Sequence, residues 1–177
     1  MSTNTLYIME AANLFVGDHD PSTSKHLSLA ELALPALQAV YADHAAGGGR
    51  VAIEVEVGVA KLEPTFKLNG IDPQLLTSFG LGSRIKKPFT AYGVVVDKRS
   101  GRHIETKAVM EGRLGKIEPS AFQRGEMLSH DYAINEVTHY ELWFDGVEKI
   151  RWDFFTNEWV IDGVDENADF NRILRIT

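Results

Sequence analysis

Residues 44–72 read HAAGGGRVAIEVEVGVAKLEPTFKLNGID, with three glycines at 47–49 set ahead of a run in which valine or isoleucine fills every second position. Glycines that cradle a phosphate follow a strand, open a helix and end in Gly-Lys-Ser/Thr. Here they precede the alternating run, and Arg50 leads directly into Val51. The nucleotide reading fails on order and on residue type. Val51, Ile53, Val55, Val57 and Val59 share one parity and Ala52, Glu54, Glu56, Gly58 and Ala60 the other, which predicts a strand with one wet face. The next nine residues repeat the period: Leu62, Pro64, Phe66 and Leu68 on one face, Lys61, Glu63, Thr65 and Lys67 on the other. Pro64 predicts an edge or a bulge in that second strand.

Outward from this pair the period of two dominates. In GIDPQLLTSFG, Asp72 is an N-cap, Pro73 a first helical residue and Gly80 a stop, which predicts a short helix. FTAYGVVV and HIETKAVMEGRLGKI form a hairpin around a turn at 97–101. Residues 128–144 and 147–155 meet across Asp145-Gly146, a two-residue hairpin signal, and Asp162-Gly163 marks another turn. DENADFNRILRI carries acids in its first turn and Phe170, Ile173 and Leu174 at helical spacing, which predicts a C-terminal helix. In SLAELALPALQAVYADH the signals conflict: Ser28 with Glu31 resembles a capping box and Leu29, Leu32, Ala33 and Leu37 have helical spacing, yet Pro35 breaks a continuous helix. Helix and strand both stay open there. The whole is mainly β, an antiparallel sandwich or barrel with a short internal helix and a C-terminal helix, in one domain over 1–177.

Composition narrows the function. Eighteen basic against 25 acidic residues leave a net charge of −7, which disfavours phosphate backbones and anionic lipid over the surface as a whole. The absence of cysteine removes disulfides, thiolate nucleophiles and cysteine-ligated zinc. No run reads as a signal peptide or a membrane span, so a reducing cytoplasm is the expected site of synthesis and no membrane partner is expected. Asp18, His19 and Asp20 are metal-capable but read as a solvated turn before Pro21. His130 and His139 lie nine residues apart, on opposite faces of a regular strand, and His139 with Glu141 reads as a polar sheet surface. No nucleophile, oxyanion donor or cofactor motif accompanies them, so catalytic, cofactor and metal sites are all expected to be absent. Trp143, Trp152 and Trp159, with Phe144, Phe154 and Phe155, crowd 17 residues in both strand parities. Some of these rings therefore need a cover on a second face, and another subunit is one such cover.

The ordered set of these pieces resembles the major tail tube protein of contractile-tailed bacteriophages, the family that includes the tube of R-type pyocins. The matching pieces are Leu34-Pro35 with Leu37, then Tyr41 ahead of Gly47-Gly48-Gly49. VEVGVAKLEPTFKLNGI follows, with Gly58, Leu62-Glu63, Phe66, Leu68 and Gly70. VMEGRLGKIE, YELWFDGVEKI and VIDGVD come next, ahead of a helix containing Arg172. They cover nearly the whole chain, with departures at GDHDPSTSKH and IKKPFT.

The resemblance implies a subunit of a six-membered ring whose inner wall is a continuous sheet, with rings stacked into a tube. It also implies a strand over 27–34 and a hairpin, tipped by the glycines, that reaches an adjoining ring. Tyr41, Gly47, Gly48, Gly49 and Arg50 are then inter-ring residues, the glycines giving close approach and positive φ. Trp143, Trp152 and Trp159 become inter-subunit aromatics. Glu54 and Glu56 are expected to line the lumen, where six chains at −7 each carry −42 together and repel a DNA duplex in passage rather than bind it. The implied partners are further copies of the chain, a tail sheath protein, a tape-measure protein in the lumen, and baseplate and tail-terminator proteins. The implied place is the virion tail, assembled in the host cytoplasm. Two alternatives stand beside this reading: a small-molecule-binding β-barrel, which predicts a monomer or dimer with a pocket, and the inner tube of a type VI secretion system.

Overall fold

The computed structural model describes residues 4–79 and 85–176. Eleven strands and two helices run in the order β1 (Tyr7–Val16), β2 (Leu29–Ala33), β3 (Ala39–His44), β4 (Ile53–Val59), β5 (Thr65–Asn69), α1 (Pro73–Ser78), β6 (Lys87–Asp97), β7 (His103–Pro119), β8 (Ser129–Phe144), β9 (Val147–Asp153), β10 (Glu158–Ile161), β11 (Val164–Asp165) and α2 (Ala168–Leu174). All pairings are antiparallel. The main sheet follows β1-β6-β7-β8-β9-β10-β11, and β5 joins β8 and carries β2 on its other side.

The branch at β8 shapes the molecule. One side of this long strand pairs with β7 over His130–Asn135 and His139–Phe144. Its other side takes β5 over Ser129–Ala133 and β9 over His139–Phe144. The sheet curls back through β5 and β2 until the Lys25 N–H donates to the Leu14 carbonyl at 2.9 Å. The result is a flattened barrel with β9, β10 and β11 as a flange. Inside, Leu14, Phe66, Leu68, Phe89, Met110, Tyr132, Ile134 and Tyr140 are buried, and the Phe66 and Tyr132 rings stack at 4.8 Å. The barrel interior is filled by side chains, and truncating one such ring to alanine costs about 3–5 kcal/mol.

The punctuation of the sequence forms these elements. Asp72 caps α1 by accepting from the Gln74 and Leu75 N–H groups, and its second oxygen takes the buried Lys25 ammonium at 2.6 Å. Asp145-Gly146 and Asp162-Gly163 adopt positive φ at both positions, as two-residue hairpins with right-handed twist demand. Asp20 accepts from the Ser22 N–H and caps a 3-10 turn over Pro21–Thr23. Among the described residues no cluster of ligand types is arranged to hold a metal ion.

Several expectations need correction. The segment with the capping-box pattern forms no helix; it is strand β2, shorter than 27–34, because Pro35 stops a helix and pairing with β5 satisfies the backbone. Leu62, Pro64, Phe66 and Leu68 are buried on one side as the alternation predicts. The strand itself starts at Thr65, with the Pro64 carbonyl accepting from Ile134, and lies between two neighbours rather than at an edge. Strand β8 is not regular: its register against β7 shifts around Glu136, whose φ is 51°. The parity argument for His130 and His139 therefore does not apply, although the two still belong to separate clusters. The Gly80 helix stop lies outside the described residues.

Candidate functional site

Strands β3 and β4 form a two-stranded sheet of their own. Every residue of β4 is exposed, as is every residue of β3 but Ala39. Direct pairing puts Tyr41 opposite Glu56 and Asp43 opposite Glu54 on one face, and Ala42 opposite Val55 and His44 opposite Ile53 on the other. The first face is acidic, with Asp43 and Glu54 as like charges directly across the ladder, an arrangement that costs stability. The second is apolar apart from His44, yet Ile53 is 59% and Val55 43% exposed. The expected single wet face is thus wet on both sides. A register shift between Val40 and Tyr41, with Gly58 at φ 151°, also breaks the alternation, so Val59 falls opposite Ala39 on the acidic side rather than beside Val55.

The tip is residues 45–52, closed by the Gly49 N–H donating to the Ala46 carbonyl at 2.9 Å. Gly47, Gly48 and Gly49 all keep φ outside the left-handed region, which corrects the expectation of positive φ; a turn of this kind does not require it. Added Cβ atoms at Gly47 and Gly48 would meet nothing within 4 Å inside the chain.

Between β4 and α2 an open cleft of about 1040 Å³ is lined by Glu56 to Glu63, by the irregular part of β8, and by Trp152, Trp159, Ile161, Phe170 and Leu174. Trp152 and Trp159 are register partners and together form its aromatic wall. Trp143 lies elsewhere: its Nε1 donates to Glu141 at 2.8 Å and its ring takes the Lys107 ammonium at 5.7 Å. The structure therefore brings two of the three tryptophans together and separates the third.

Helix α2 reverses the face that spacing suggests. Phe170, Ile173 and Leu174 are each more than 60% exposed, whereas Asn171 is buried. The Asn171 amide accepts from Asn157 Nδ2 at 2.7 Å and donates to the Asn157 carbonyl at 3.1 Å, so a polar anchor holds the helix to the turn after β9. No periodicity in the sequence signals that anchor.

The other polar cluster is His139, half-buried, with Nδ1 2.9 Å from Asp153 and Nε2 3.0 Å from Glu141. Burial works against the imidazolium, but the two carboxylates outweigh it and the His139 pKa is raised. Glu141 and Asp153 suffer the same desolvation; bonds from Trp143 and His139 to the first, and from the Thr156 N–H, His139 and the Phe155 N–H to the second, lower both. With both ring nitrogens engaged, His139 has no lone pair to offer a substrate. The cluster is a clamp between β8 and β9.

Among the described residues, the unpaired edges of the β3–β4 hairpin and the two uncovered apolar faces are the marked features of the surface. The profile of the family described as phage tail tube protein FII matches residues 8–174, and the chain belongs to that family. It is a structural tail tube protein and not an enzyme. Among solved structures, the fold is similar to a chain of the sheath-tube complex, in the extended state, of the extracellular contractile injection system PVC, with 10% identity, coverage of 72% of this chain and 86% of that one, and a TM-score of 0.50. It is also similar to a chain of the anti-feeding prophage (AFP) baseplate, with 7% identity, coverage of 77% and 94%, and a TM-score of 0.51. No curated protein sequence matches the chain at a significant level.

Proposed function

We propose that six copies of this chain close into a ring, that rings stack into the inner tube of a contractile phage tail, and that the bore conducts DNA. The observation that carries the reading is the β3–β4 hairpin, amphipathic yet covered on neither face. An isolated two-stranded hairpin is marginal in water. One with four apolar residues, Val40, Ala42, Ile53 and Val55, on an open face needs a neighbour to hold it. In the tube the apolar face packs against protein and the acidic face, with Glu54 and Glu56, borders the lumen. Tyr41, Gly47, Gly48, Gly49 and Arg50 meet the next ring, and Trp143, Trp152 and Trp159 lie at or near contacts between subunits. Sheath, tape-measure, baseplate and tail-terminator proteins are the partners such a tube requires, its place is the virion tail, and assembly takes place in the host cytoplasm. A filled barrel interior speaks against the small-molecule carrier.

The test is the charge-reversed double variant Glu54→Lys, Glu56→Lys supplied in trans to particles lacking the native subunit. Tubes should still assemble, while genome delivery falls because a cationic bore holds phosphate. Full infectivity with assembled mutant tubes contradicts the lumen assignment.

A further inference from the structure

We propose that the bore is zoned in charge: past the acidic hairpin, the outward face of β2, β5, β8 and β7 forms a lysine-bearing belt where the phosphates of passing DNA touch the wall. This rests on the tube reading above and adds a second cargo-facing surface to it. The register shift in the hairpin joins the two surfaces. It places Val59 on the side of Glu54 and Glu56, and steps of two from Val59 reach Lys61, Glu63, Thr65 and Lys67. Along that stretch Leu62, Pro64, Phe66 and Leu68 are the buried alternates. The acidic face of the hairpin thus runs on into the outward face of β5.

On that face the pairing aligns four charges in one row across four strands. Glu31 of β2 stands opposite Lys67 of β5, Lys67 opposite Asp131 of β8, and Asp131 opposite Glu118 of β7. Asp131 and Glu118 are like charges directly across the ladder, a destabilising pair that flanking cations relieve. Lys67 reaches Asp131 at 3.6 Å, and Lys116 pairs with Glu118. Ala33, Thr65 and Ala133 fill the next row beside Lys116, so no large apolar side chain stands among these charges. The outward face of β1 and β6 differs, with Ile8 41% and Val94 40% exposed. A face of small and charged residues needs no protein cover and suits a wall bathed in water. Two lysines against three carboxylates leave the belt at −1 per copy, whereas the paired residues of the hairpin face, with Asp43, Glu54 and Glu56 and no cation, carry −3. Lys67 lies 11 residues past Glu56, roughly 35 Å of extended chain. That exceeds the Debye length of about 8 Å, so the two zones act separately. Both lysine pairs are exposed, and exposed ion pairs are weak. An ammonium can therefore exchange its carboxylate for a passing phosphate and return. A polyanion meets repulsion at the hairpin and a weak, reversible contact at the belt once per ring, which guides it without holding it.

The chain has no cysteine, so an introduced thiol reports its own surroundings. Thr65→Cys and Ala133→Cys sit in the belt, and Asp43→Cys sits in the acidic zone. Each is assembled, checked as tubes by electron microscopy, and treated with a cationic or an anionic methanethiosulfonate of matched size, or with a maleimide carried on a protein too wide for the bore. The ratio of cationic to anionic rate is referred to that of the urea-unfolded chain. Belt thiols should react with both small reagents, be shielded from the protein-borne one, and give a ratio about fivefold or more below that of Asp43→Cys. Lys67→Gln with Lys116→Gln should raise the belt ratio to the hairpin value. Inorganic tripolyphosphate should slow the anionic reagent at the belt, and only while both lysines are present. Equal ratios in the two zones, or a belt ratio indifferent to the lysines or to tripolyphosphate, overturn the zoning while leaving the tube intact. Belt thiols reached by the protein-borne maleimide lie on the outside, and belt thiols reached by nothing lie in an interface; either result overturns it too, as does failure of both belt variants to assemble where the parent does. Failure of the unsubstituted chain to form tubes overturns the tube reading and this inference with it.

Discussion

Individual side chains set the pH range over which the flange holds. His139 gains two carboxylates on folding and its pKa rises, so its contribution is complete below its unfolded value near 6.5 and fades as pH climbs through the raised folded value. Glu141 and Asp153 have lowered folded values, so their contribution is present above their unfolded range near 4 and fades as pH falls through the lowered folded values. The clamp is therefore strongest between roughly pH 4.5 and 6.5. His139→Ala should cost about 1–2 kcal/mol at pH 5.5 and clearly less at pH 9, read from denaturant midpoints of the monomer. A second residue tests burial without a partner: the Tyr132 hydroxyl is buried with no hydrogen bond among the described residues. Tyr132→Phe should leave the unfolding midpoint unchanged or raise it by up to about 1 kcal/mol of stability, and a loss of about 2 kcal/mol or more would reveal a partner for that hydroxyl. The sequence shows that Tyr132 falls in a strand, but pairing of a phenol is decided by what the fold brings above the ring. For the same reason His139 and Glu141 could be placed on one face from spacing, while Asp153, which completes the clamp, comes from a neighbouring strand.

At the scale of elements, turns and short strands were legible because their signals are local. Two Asp-Gly hairpins, the Asp72 cap and the alternation of Leu62, Pro64, Phe66 and Leu68 need no knowledge of what lies across the sheet. Whatever depends on a partner was not legible. The register shifts in β4 and β8 are defined only against the strands they pair with, and the helix signal at Ser28 to Leu37 yields to pairing with β5. Helix α2 is the sharpest case, since three apolar residues at helical spacing lie outward and an asparagine lies inward. Asn171→Ala should free the helix at a cost of about 1–3 kcal/mol and expose the C-terminal segment to limited proteolysis. The hairpin offers a parallel test. Arg50 sits in its exposed tip, so trypsin should cut there in the monomer and be slowed markedly once the protein assembles. Equal cleavage in both states would show that the tip faces solvent in the tube and is not a joint. Valine at Gly48 and Gly49 should leave the monomer folded, given the open space around Gly48, while shortening or abolishing tubes seen by microscopy.

For the whole molecule, the mismatch between its filled barrel and its bare periphery is the central fact. Phe66, Tyr132 and Met110 are sealed inside, whereas Val55, Phe170 and Leu174 have water where a packed protein would have neighbours. Composition already excluded thiol chemistry and disfavoured anionic partners over the surface as a whole, and the alternating strands already pointed to an antiparallel barrel. The two-faced exposure of the hairpin could not be read from alternation, because a pattern of apolar and polar residues is the same whether the covering surface belongs to its own chain or to the next. On the proposed reading, assembly completes that surface. The decisive measurement is cryo-electron microscopy of the purified protein at high concentration, with baseplate-bearing particles added as nuclei. Hollow tubes of stacked rings, with the β3–β4 hairpin packed between subunits, are the predicted result. A protein that stays monomeric at every concentration and adds nothing to the nuclei would contradict the account.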